Sequence, residues 1–176
     1  MPAPASDAVH SLVRNRLERM LDHTMGGFGE HQAHLIRLSS LKLEGIELDG
    51  EDDTKPTKGA QAVVECSLTV DESCCNPSGN AHGGFLAWLI DHCSSLSLLA
   101  LSGPGEKWVT SGVSTNLNVY YVGAAPVGTK LRIMTRVMNL GRVTGVLETR
   151  VENVDTGKLL CFATHTKQDP QPRAKL

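Results

Sequence analysis

The sequence predicts an α+β fold in which a curled antiparallel sheet wraps round one long buried helix. A central segment of about residues 82–102 is apolar on nearly every side, which a helix tolerates only when it is covered on most sides. Strand-like segments precede and follow it without alternating with further helices, which argues against a parallel sheet. One small sheet leaves part of such an apolar helix exposed, so we also expect the chain to oligomerise.

The first predicted element is an amphipathic helix over about residues 6–23. Its apolar residues recur at i, i+3 and i+4 spacing, and they are Val9, Leu12, Val13, Leu17, Met20 and Leu21. Arginines 14, 16 and 19 lie on the opposite side. This pattern predicts a helix that packs on the domain. A mitochondrial presequence is the alternative, although the acidic residues of the segment count against it. The glycine-rich residues 25–29 are expected to end the helix.

Two strands are predicted next. Residues 38–48 alternate apolar and polar side chains up to Gly45, which indicates a strand with a bulge or a turn at that glycine. Residues 49–59 begin with an acidic run and are predicted to form a solvated loop. From Ala62 to Val70 every second residue is apolar, which is the pattern of a strand with one buried face.

The second half of the sequence predicts the buried helix and a meander of four strands. After a polar turn at residues 73–80, the helix covers about residues 82–102 and ends at the glycine-proline-glycine of residues 103–105. Strand-like runs follow at residues 108–122, 130–140, 143–154 and 158–167. Residues 139–142 and 155–157 are short, turn-like connections, which predicts hairpins.

The composition excludes several classes of function. The chain has 176 residues, enough for one well-buried domain. With 17 basic and 19 acidic residues and only 4% aromatics, it lacks the positive field and the stacking side chains of nucleic-acid-binding proteins. The longest apolar run, residues 85–101, is interrupted by Asp91, His92 and serines, so no membrane span is expected.

The cysteines form no regular pair in the sequence; they are Cys66, Cys74, Cys75, Cys93 and Cys161. Because nothing like a secretory segment precedes them, we expect a reducing compartment, namely the cytoplasm with the mitochondrion as the alternative. The adjacent Cys74 and Cys75 could bind a metal or act as a redox pair, but no second ligand pair stands at zinc spacing. We therefore expect no metal site.

The candidate for chemistry is the run from Asn76 to Gly84 and the helix that follows it. Glycines at a helix start let another group approach the free backbone N–H groups, which can hold an oxyanion. The same glycines could also be simple loop geometry. Asp91 lies inside the helix among apolar neighbours, where a carboxylate is costly without partners. It therefore either faces a wet site or is satisfied by a structural bond to a strand hydroxyl or amide.

Four features of the sequence together match one family. Asn76 lies six positions before His82-Gly83-Gly84, and Asp91 lies nine positions after that histidine. Gly112-Val113-Ser114 precedes Leu-Asn-Val-Tyr-Tyr at residues 117–121, and Thr-His-Thr-Lys closes the match at residues 164–167. With these features the chain resembles the hotdog-fold acyl-CoA thioesterases, in the branch shared by bacterial phenylacetate-pathway thioesterases and the mammalian medium- and long-chain enzymes.

The resemblance implies a fold and a domain organisation. The expected fold is a hotdog fold with an added N-terminal helix. Residues 1–58 are expected to form an N-terminal extension, residues 59–168 the thioesterase domain and residues 169–176 a C-terminal tail. The family pairs as homodimers and commonly as homotetramers.

The resemblance also implies hydrolysis of fatty or aryl acyl-CoA to free acid and CoA, with no cofactor, since the CoA thioester is itself the substrate. The Gly83 amide and Asn76 would polarise the thioester carbonyl, Asp91 would act as general base or nucleophile, and Ser114 would orient the attacking water. His82 is expected to support the site. Contacts with the substrate are implied for His82, Gly84, Tyr121, Val122, Gly123, Ala124, Ala125, Pro126, Asn139, Leu140, Gly141, Arg142, Val143 and Thr144.

Two other functions stay open. A hotdog hydratase or dehydratase would need a catalytic histidine, and His92 adjoins Asp91, but consecutive helix residues point about 100° apart. A non-catalytic acyl-CoA-binding or sensing protein is the second alternative, because a fold does not fix a function.

Helix geometry adds an expectation about the assembly. Gly83 and Asp91 are eight residues apart on one helix, so their backbones are about 12 Å apart. This exceeds the reach of one thioester group, which predicts a site shared between two chains.

Overall fold

The computed structural model describes residues 2–22, 27–102, 108 and 110–170. Within these residues the helices are α1 (Asp7–Asp22), α2 (Glu30–Ala33) and α3 (Gly83–Leu99). The strands are β1 (Arg37–Leu48), β2 (Thr54–Thr69), β3 (Val113–Tyr121), β4 (Lys130–Leu140), β5 (Thr144–Asn153) and β6 (Leu159–Gln168). A single 3-10 turn, Glu72–Cys74, lies between β2 and α3.

All six strands form one antiparallel sheet in the order β1-β2-β4-β5-β6-β3. Helix α3 packs on the inner face of this sheet, mainly against β2, β4 and β5. On β4 the buried residues Leu131 and Ile133 alternate with exposed ones, as a half-buried strand requires. On α3 the side chains of Leu89, Ile90 and Leu98 are fully buried. The predicted α+β fold, a sheet round a central helix, is confirmed.

Helix α1 packs on the sheet through its apolar stripe, as predicted. Val9, Val13, Leu17 and Leu21 are buried against β1. On the other side of α1, Nη1 of Arg16 donates to the carbonyl oxygen of Ser102 at 2.6 Å, just beyond α3. Its Nη2 forms an ion pair of 2.7 Å with Asp53, between β1 and β2. The added helix therefore braces the end of α3.

The predicted solvated loop over residues 49–59 is wrong beyond residue 53, because β2 begins at Thr54. Lys55 pairs with Glu47 and Pro56 with Ile46, after a register shift at Gly45 where a bulge was predicted. Gly45 and Gly59 have φ values of 66° and 81°, so both bend the strands in a conformation that glycine adopts readily. These irregularities break the alternation from which strands are predicted. The predicted domain boundary between residues 58 and 59 lies inside β2, so the sheet spans both predicted segments.

The strand predicted from Trp108 begins later, at Val113. Trp108 itself has a φ of 64° and a buried side chain, and its Nε1 donates to the carbonyl oxygen of Gly141 at 3.2 Å. The residue thus closes the core beside the β4–β5 hairpin. The predicted helix ends at residues 25–26 and 103–105 and the tail beyond residue 170 lie outside the described residues.

Helix α2 was not predicted from the sequence, since four residues are too few to show a helical period. None of the helices in the described part of the chain is long and apolar enough to cross a membrane.

Candidate active site

The carboxylate of Asp91 is the centre of a polar cluster on the middle of α3. Its side chain is 42% exposed, and the hydroxyl of Ser114 on β3 donates to its Oδ1 at 2.8 Å. The sequence left open a structural bond from Asp91 to a strand hydroxyl, and the expected catalytic set pairs Asp91 with Ser114. Both descriptions correspond to this one hydrogen bond from Ser114 to Asp91. Because the carboxylate remains partly exposed, it is also open to solvent and to a substrate.

His165 of β6 lies beneath this pair. Its side chain is fully buried, with Nε2 at 3.0 Å from the Ser114 Oγ and 3.3 Å from the Asp91 Oδ1. Its Nδ1 is 2.6 Å from the hydroxyl of Ser94 on α3. Burial lowers the pKa of His165 to about 4, and the charge of Lys167 acts in the same direction while Asp91 opposes it. The imidazole is therefore neutral at neutral pH.

The tautomer of His165 can be assigned from its partners. Because the Ser114 hydroxyl donates to Asp91, its oxygen is left to accept, and Nε2–H of His165 is the donor that faces it. Nδ1 then accepts from the Ser94 hydroxyl at 2.6 Å, which is closer than the other acceptor of that hydroxyl, the Asp91 carbonyl oxygen at 3.0 Å. Each group in the series Ser94, His165, Ser114 and Asp91 donates to the next. This chain fixes the orientation of the Ser114 hydroxyl and leaves the carboxylate as the final acceptor.

Lys167 completes the cluster from the same face of β6. Its side chain is almost wholly buried, and Nζ donates to the Ser95 hydroxyl at 2.6 Å and lies 3.7 Å from the Asp91 Oδ1. Burial lowers the pKa of Lys167, whereas the carboxylate opposite favours the ammonium form. The Lys167 ammonium and the Asp91 carboxylate therefore compensate each other's charge. A buried ammonium without such a partner would be costly.

His165 and Lys167 were not predicted as site residues, although they belong to the closing motif at residues 164–167. A signal for them was present in the sequence. They occupy successive inward positions of β6, which Ala163 and Cys161 continue as buried residues. A histidine and a lysine at positions that face a core are rare without a partner, so strand periodicity combined with residue type points to them.

A second cluster lies at the start of α3, around Gly83. The side chain of His82 caps the helix, since its Nδ1 accepts from the Gly84 N–H at 2.9 Å. The Tyr121 hydroxyl donates to the Gly83 carbonyl oxygen at 2.8 Å. Within the described residues the Gly83 N–H has no hydrogen-bond partner, as expected for the first residue of a helix. This free amide is the candidate oxyanion donor.

Asn76 lies in the turn that leads into α3. Its Oδ1 accepts from the backbone N–H groups of Ser78 at 3.0 Å and Asn80 at 3.3 Å. The side-chain carbonyl is therefore used to shape the turn, as in an Asx turn. The carboxamide NH₂ is therefore the part of Asn76 that can donate to a ligand. A residue that polarises a carbonyl must present such a donor.

The first segment expected to contact CoA, Tyr121 to Pro126, lies beside this helix start. The Ala81 N–H donates to the Ala125 carbonyl oxygen at 2.8 Å, and Asn80 forms a bridge with Pro126. The structure thus brings the residue 121–126 segment together with Asn76, His82 and Gly83.

The second expected segment, Asn139 to Thr144, lies at the opposite end of α3. It forms the β4–β5 hairpin, and the next residue, Gly145, packs on Leu98 and Trp108. Leu98 is 15 residues beyond Gly83, which corresponds to about 22 Å along the helix. One chain therefore does not bring the two segments to the same place.

The same separation holds for the two clusters. Gly83 and Asp91 are both on α3, about 12 Å apart along its axis. His92 does not bridge them, because its ring stacks on that of Trp88 at 5.2 Å between centroids and its Nε2 is buried without a partner in the described residues. The arrangement offers a carboxylate base at one place and an oxyanion donor at another. No group of three or more histidine, cysteine or acidic side chains is placed to hold a metal ion in the part of the chain that the structure describes.

Comparison with known proteins gives one family. A profile of the thioesterase superfamily matches residues 78–160. The human acyl-coenzyme A thioesterase 13 is 32% identical over 108 residues, which cover 61% of this chain and 74% of the human one.

Solved structures agree with this match. Thioesterase superfamily member 2 of zebrafish is 26% identical, with a TM-score of 0.65 over 89% of this chain and 94% of its own. A thioesterase from Streptococcus pneumoniae, solved with coenzyme A, is 30% identical, with a TM-score of 0.55 over 64% of this chain and 81% of its own. All three of these proteins are named as thioesterases.

Proposed function

Because this chain belongs to the thioesterase superfamily, we propose that it hydrolyses fatty or aryl acyl-CoA thioesters to the free acid and CoA, in a site shared between two subunits. A relative of similar length is named an acyl-CoA thioesterase, and another was solved with coenzyme A bound. No cofactor is needed in this proposal, since a carboxylate activates the water.

The observation that carries the proposal is the cluster around Asp91. A half-exposed carboxylate receives the Ser114 hydroxyl, which neutral His165 holds in place. A neutral imidazole adds no positive charge beside Asp91, and the Lys167 ammonium at 3.7 Å stabilises the ionised carboxylate, which is the form that acts as a base. A water bound between Asp91 and Ser114 would give its proton to the carboxylate as it attacks the thioester carbon. Attack by the carboxylate itself is the alternative route and uses the same geometry.

The oxyanion that develops on the thioester oxygen needs donors that are already in place. In this proposal they are the N–H of Gly83 at the positive end of α3 and the NH₂ of Asn76. His82 supports them by capping the helix through Gly84, and Tyr121 holds the Gly83 carbonyl.

A second copy of the chain would bring the two halves of the site together. Asp91 and Gly83 of one chain are too far apart for one thioester, whereas the Asp91 of an antiparallel partner helix can approach Gly83. Strand β3 is at the end of the sheet, and its residues Val113, Tyr120 and Tyr121 are all more than half exposed. An end strand with exposed apolar side chains favours pairing with another chain. We therefore propose a homodimer, with a homotetramer as its further assembly.

The same symmetry accounts for the two separated CoA segments. Residues 121–126 of one chain and the 139–144 hairpin of its partner could flank one CoA, although the two segments lie at opposite ends of α3 in a single chain. Arg142 of the hairpin would supply positive charge for a phosphate. Arg132 of β4 is less suited to this role, because it already forms an ion pair with Glu152. We further propose the cytoplasm as the location, with the mitochondrion as the alternative, in line with five free cysteines.

The test is CoA release by the Asp91→Asn variant, followed with a thiol reagent on a panel of acyl-CoAs. Loss of a general base should lower kcat by at least about 10²-fold while the fold is kept. Asp155→Asn is a matched control, because Asp155 lies in the exposed β5–β6 turn. Full activity of Asp91→Asn would remove this carboxylate from the mechanism. A wild-type protein that binds acyl-CoA without releasing CoA would instead favour the sensing alternative.

A further inference from the structure

A groove of about 460 Å³ opens beside the start of α3. Its walls come from three parts of the chain: Phe28 and Gly29 ahead of α2, Cys75 after the 3-10 turn, and His82, Phe85 and Trp88 at the beginning of α3. The volume lies within the range of roughly 300–1,000 Å³ that is usual for small-molecule sites. The groove shares His82 and Gly84 with the expected substrate contacts, but its other walls belong neither to the expected catalytic groups nor to the expected CoA segments.

Three aromatic side chains line the groove, namely Phe28, Phe85 and Trp88. The rings of Phe85 and Trp88 stack with their centroids 5.9 Å apart, and both side chains are only partly buried. Phe28 is 90% exposed, the most exposed of the large apolar side chains described. A phenylalanine ring left in water at the edge of an aromatic groove favours a hydrocarbon ligand, because such a ligand would remove apolar surface from water on both sides.

The N-terminal segment is fitted to this groove. Gly29 has a φ of 79°, and a Cβ at this position would lie 2.4 Å from the ring of Trp88. The glycine backbone therefore packs directly on the indole ring and fixes the wall that Phe28 continues. Residues 28 and 29 lie outside residues 78–160, the part that the superfamily profile matches.

The groove is continuous with the candidate oxyanion donor. His82 and Gly84 both line it, and Gly83, with its free N–H, lies between them. A thioester carbonyl bound to that N–H would have its acyl substituent near the mouth of the groove, because the residues on both sides of Gly83 line it. Trp88 is five residues further along α3, which corresponds to about 7.5 Å along the axis. An acetyl group would not reach it, whereas a chain of several carbons would.

From this geometry we propose that the groove is the binding site for the hydrocarbon chain of a fatty acyl thioester, with Phe28 and Trp88 as its specificity-determining residues. The inference rests on the proposed hydrolysis of acyl-CoA and adds the substrate class: fatty acyl chains long enough to pass Phe85 and contact Trp88. The N-terminal segment then selects chain length without supplying a catalytic group.

Phe28→Ser removes one wall and is expected to fold, because the side chain is almost wholly exposed. We expect kcat/KM for dodecanoyl-CoA to fall about tenfold through a higher KM, since apolar burial is lost, while kcat/KM for butanoyl-CoA changes less than twofold. Leu48→Ser, at the end of β1, is the matched control, because it removes another exposed apolar side chain outside the groove. It should leave both values unchanged.

A second variant fills the groove instead of opening it. Cys75→Phe adds a ring at a partly exposed wall position and should reduce cleavage of dodecanoyl-CoA while sparing butanoyl-CoA. If both variants change all chain lengths equally, or not at all, the groove does not bind the acyl chain. A changed oligomeric state on size-exclusion chromatography with an unchanged chain-length profile would also overturn the proposal and assign the groove to a partner chain.

A binding measurement separates this inference from the proposed function. Calorimetric titration with dodecanoate, the product of the proposed reaction, needs no turnover. If Phe28→Ser binds dodecanoate at least tenfold more weakly than Leu48→Ser does, the groove binds the acyl chain. This conclusion holds even if the wild-type protein cleaves no acyl-CoA, and that result would overturn only the proposed function. If the wild-type protein cleaves acyl-CoA but the two variants bind dodecanoate equally, the groove is not the acyl-chain site and the proposed function is unaffected.

Discussion

The buried imidazole of His165 should make the folded state sensitive to mild acid. Its pKa is about 4 in the folded protein, because burial disfavours the charged ring, against about 6.5 for an exposed histidine. Between these two pH values the unfolded chain binds more protons than the folded one, so the free energy of unfolding falls as the pH is lowered. At about 1.4 kcal/mol per pH unit, the full loss is about 3 kcal/mol by pH 4.

The measurement is urea unfolding of the wild type and of His165→Gln at several pH values from 7 to 4.5. Carboxylates contribute to acid unfolding in both proteins, so the difference between the two pH profiles isolates His165. The wild type should lose stability more steeply below about pH 6.5 than the variant does. His34→Gln is the control, because His34 is exposed and its removal should leave the wild-type profile in place.

Nuclear magnetic resonance of the imidazole protons gives an independent value. The resonance that is absent in His165→Gln should titrate with a midpoint near 4. A midpoint near that of an exposed histidine, or parallel stability profiles for the wild type and the variant, would refute the argument that burial holds His165 neutral. The hydrogen-bond assignment that orients Ser114 would then also need revision.

Two further predictions concern the assembly and the N-terminal helix. If each site is shared, mixing inactive Asp91→Asn with inactive Asn76→Ala should restore up to about half of a dimer's activity, since one of two sites receives no lesion; verified heterodimers without activity would disprove the shared site. Arg16→Gln should lower the free energy of unfolding by about 1–3 kcal/mol, because it removes the hydrogen bond to Ser102 and the ion pair with Asp53. Arg14→Gln, which loses only an exposed ion pair with Glu18, should lower the free energy of unfolding by less than about 0.5 kcal/mol. Equal losses in the two variants would show that the contacts of Arg16 with Ser102 and Asp53 do not stabilise the fold.

Regular elements of the fold could be predicted from local patterns. The bounds of α1, β4 and β6 lie within one residue or so of the predicted ones, because an apolar stripe or a strict alternation fixes which residues face a core. Asp91 could be singled out for a related reason, since a carboxylate inside an apolar helix contradicts its surroundings and must have partners. Gly83 was marked by its place at a helix start.

Elements without a regular pattern could not be predicted in this way. The first half of β2 is polar and contains Pro56, and it is a strand only because β1 lies beside it and the glycine bulges adjust the register. Trp108 adopts a positive φ because its ring fills the core beside Gly141 and Gly145, which no local pattern reveals. In both cases the decisive partner is distant in the sequence.

The sequence by itself determined the α+β class and the family, and it marked Gly83 and Asp91 as candidate site residues, because each of these depends on residue types and motifs that can be recognised along the chain. Only the tertiary structure decided which groups surround Asp91. Ser94 and His165 are 71 residues apart and meet only because β6 packs under α3 and pairs with β3. The tertiary structure also placed Gly29 against the ring of Trp88, and Phe28 in the wall of the same groove. Contacts between distant segments depend on the packing of the whole sheet round α3, and periodicity within one segment carries no information about them.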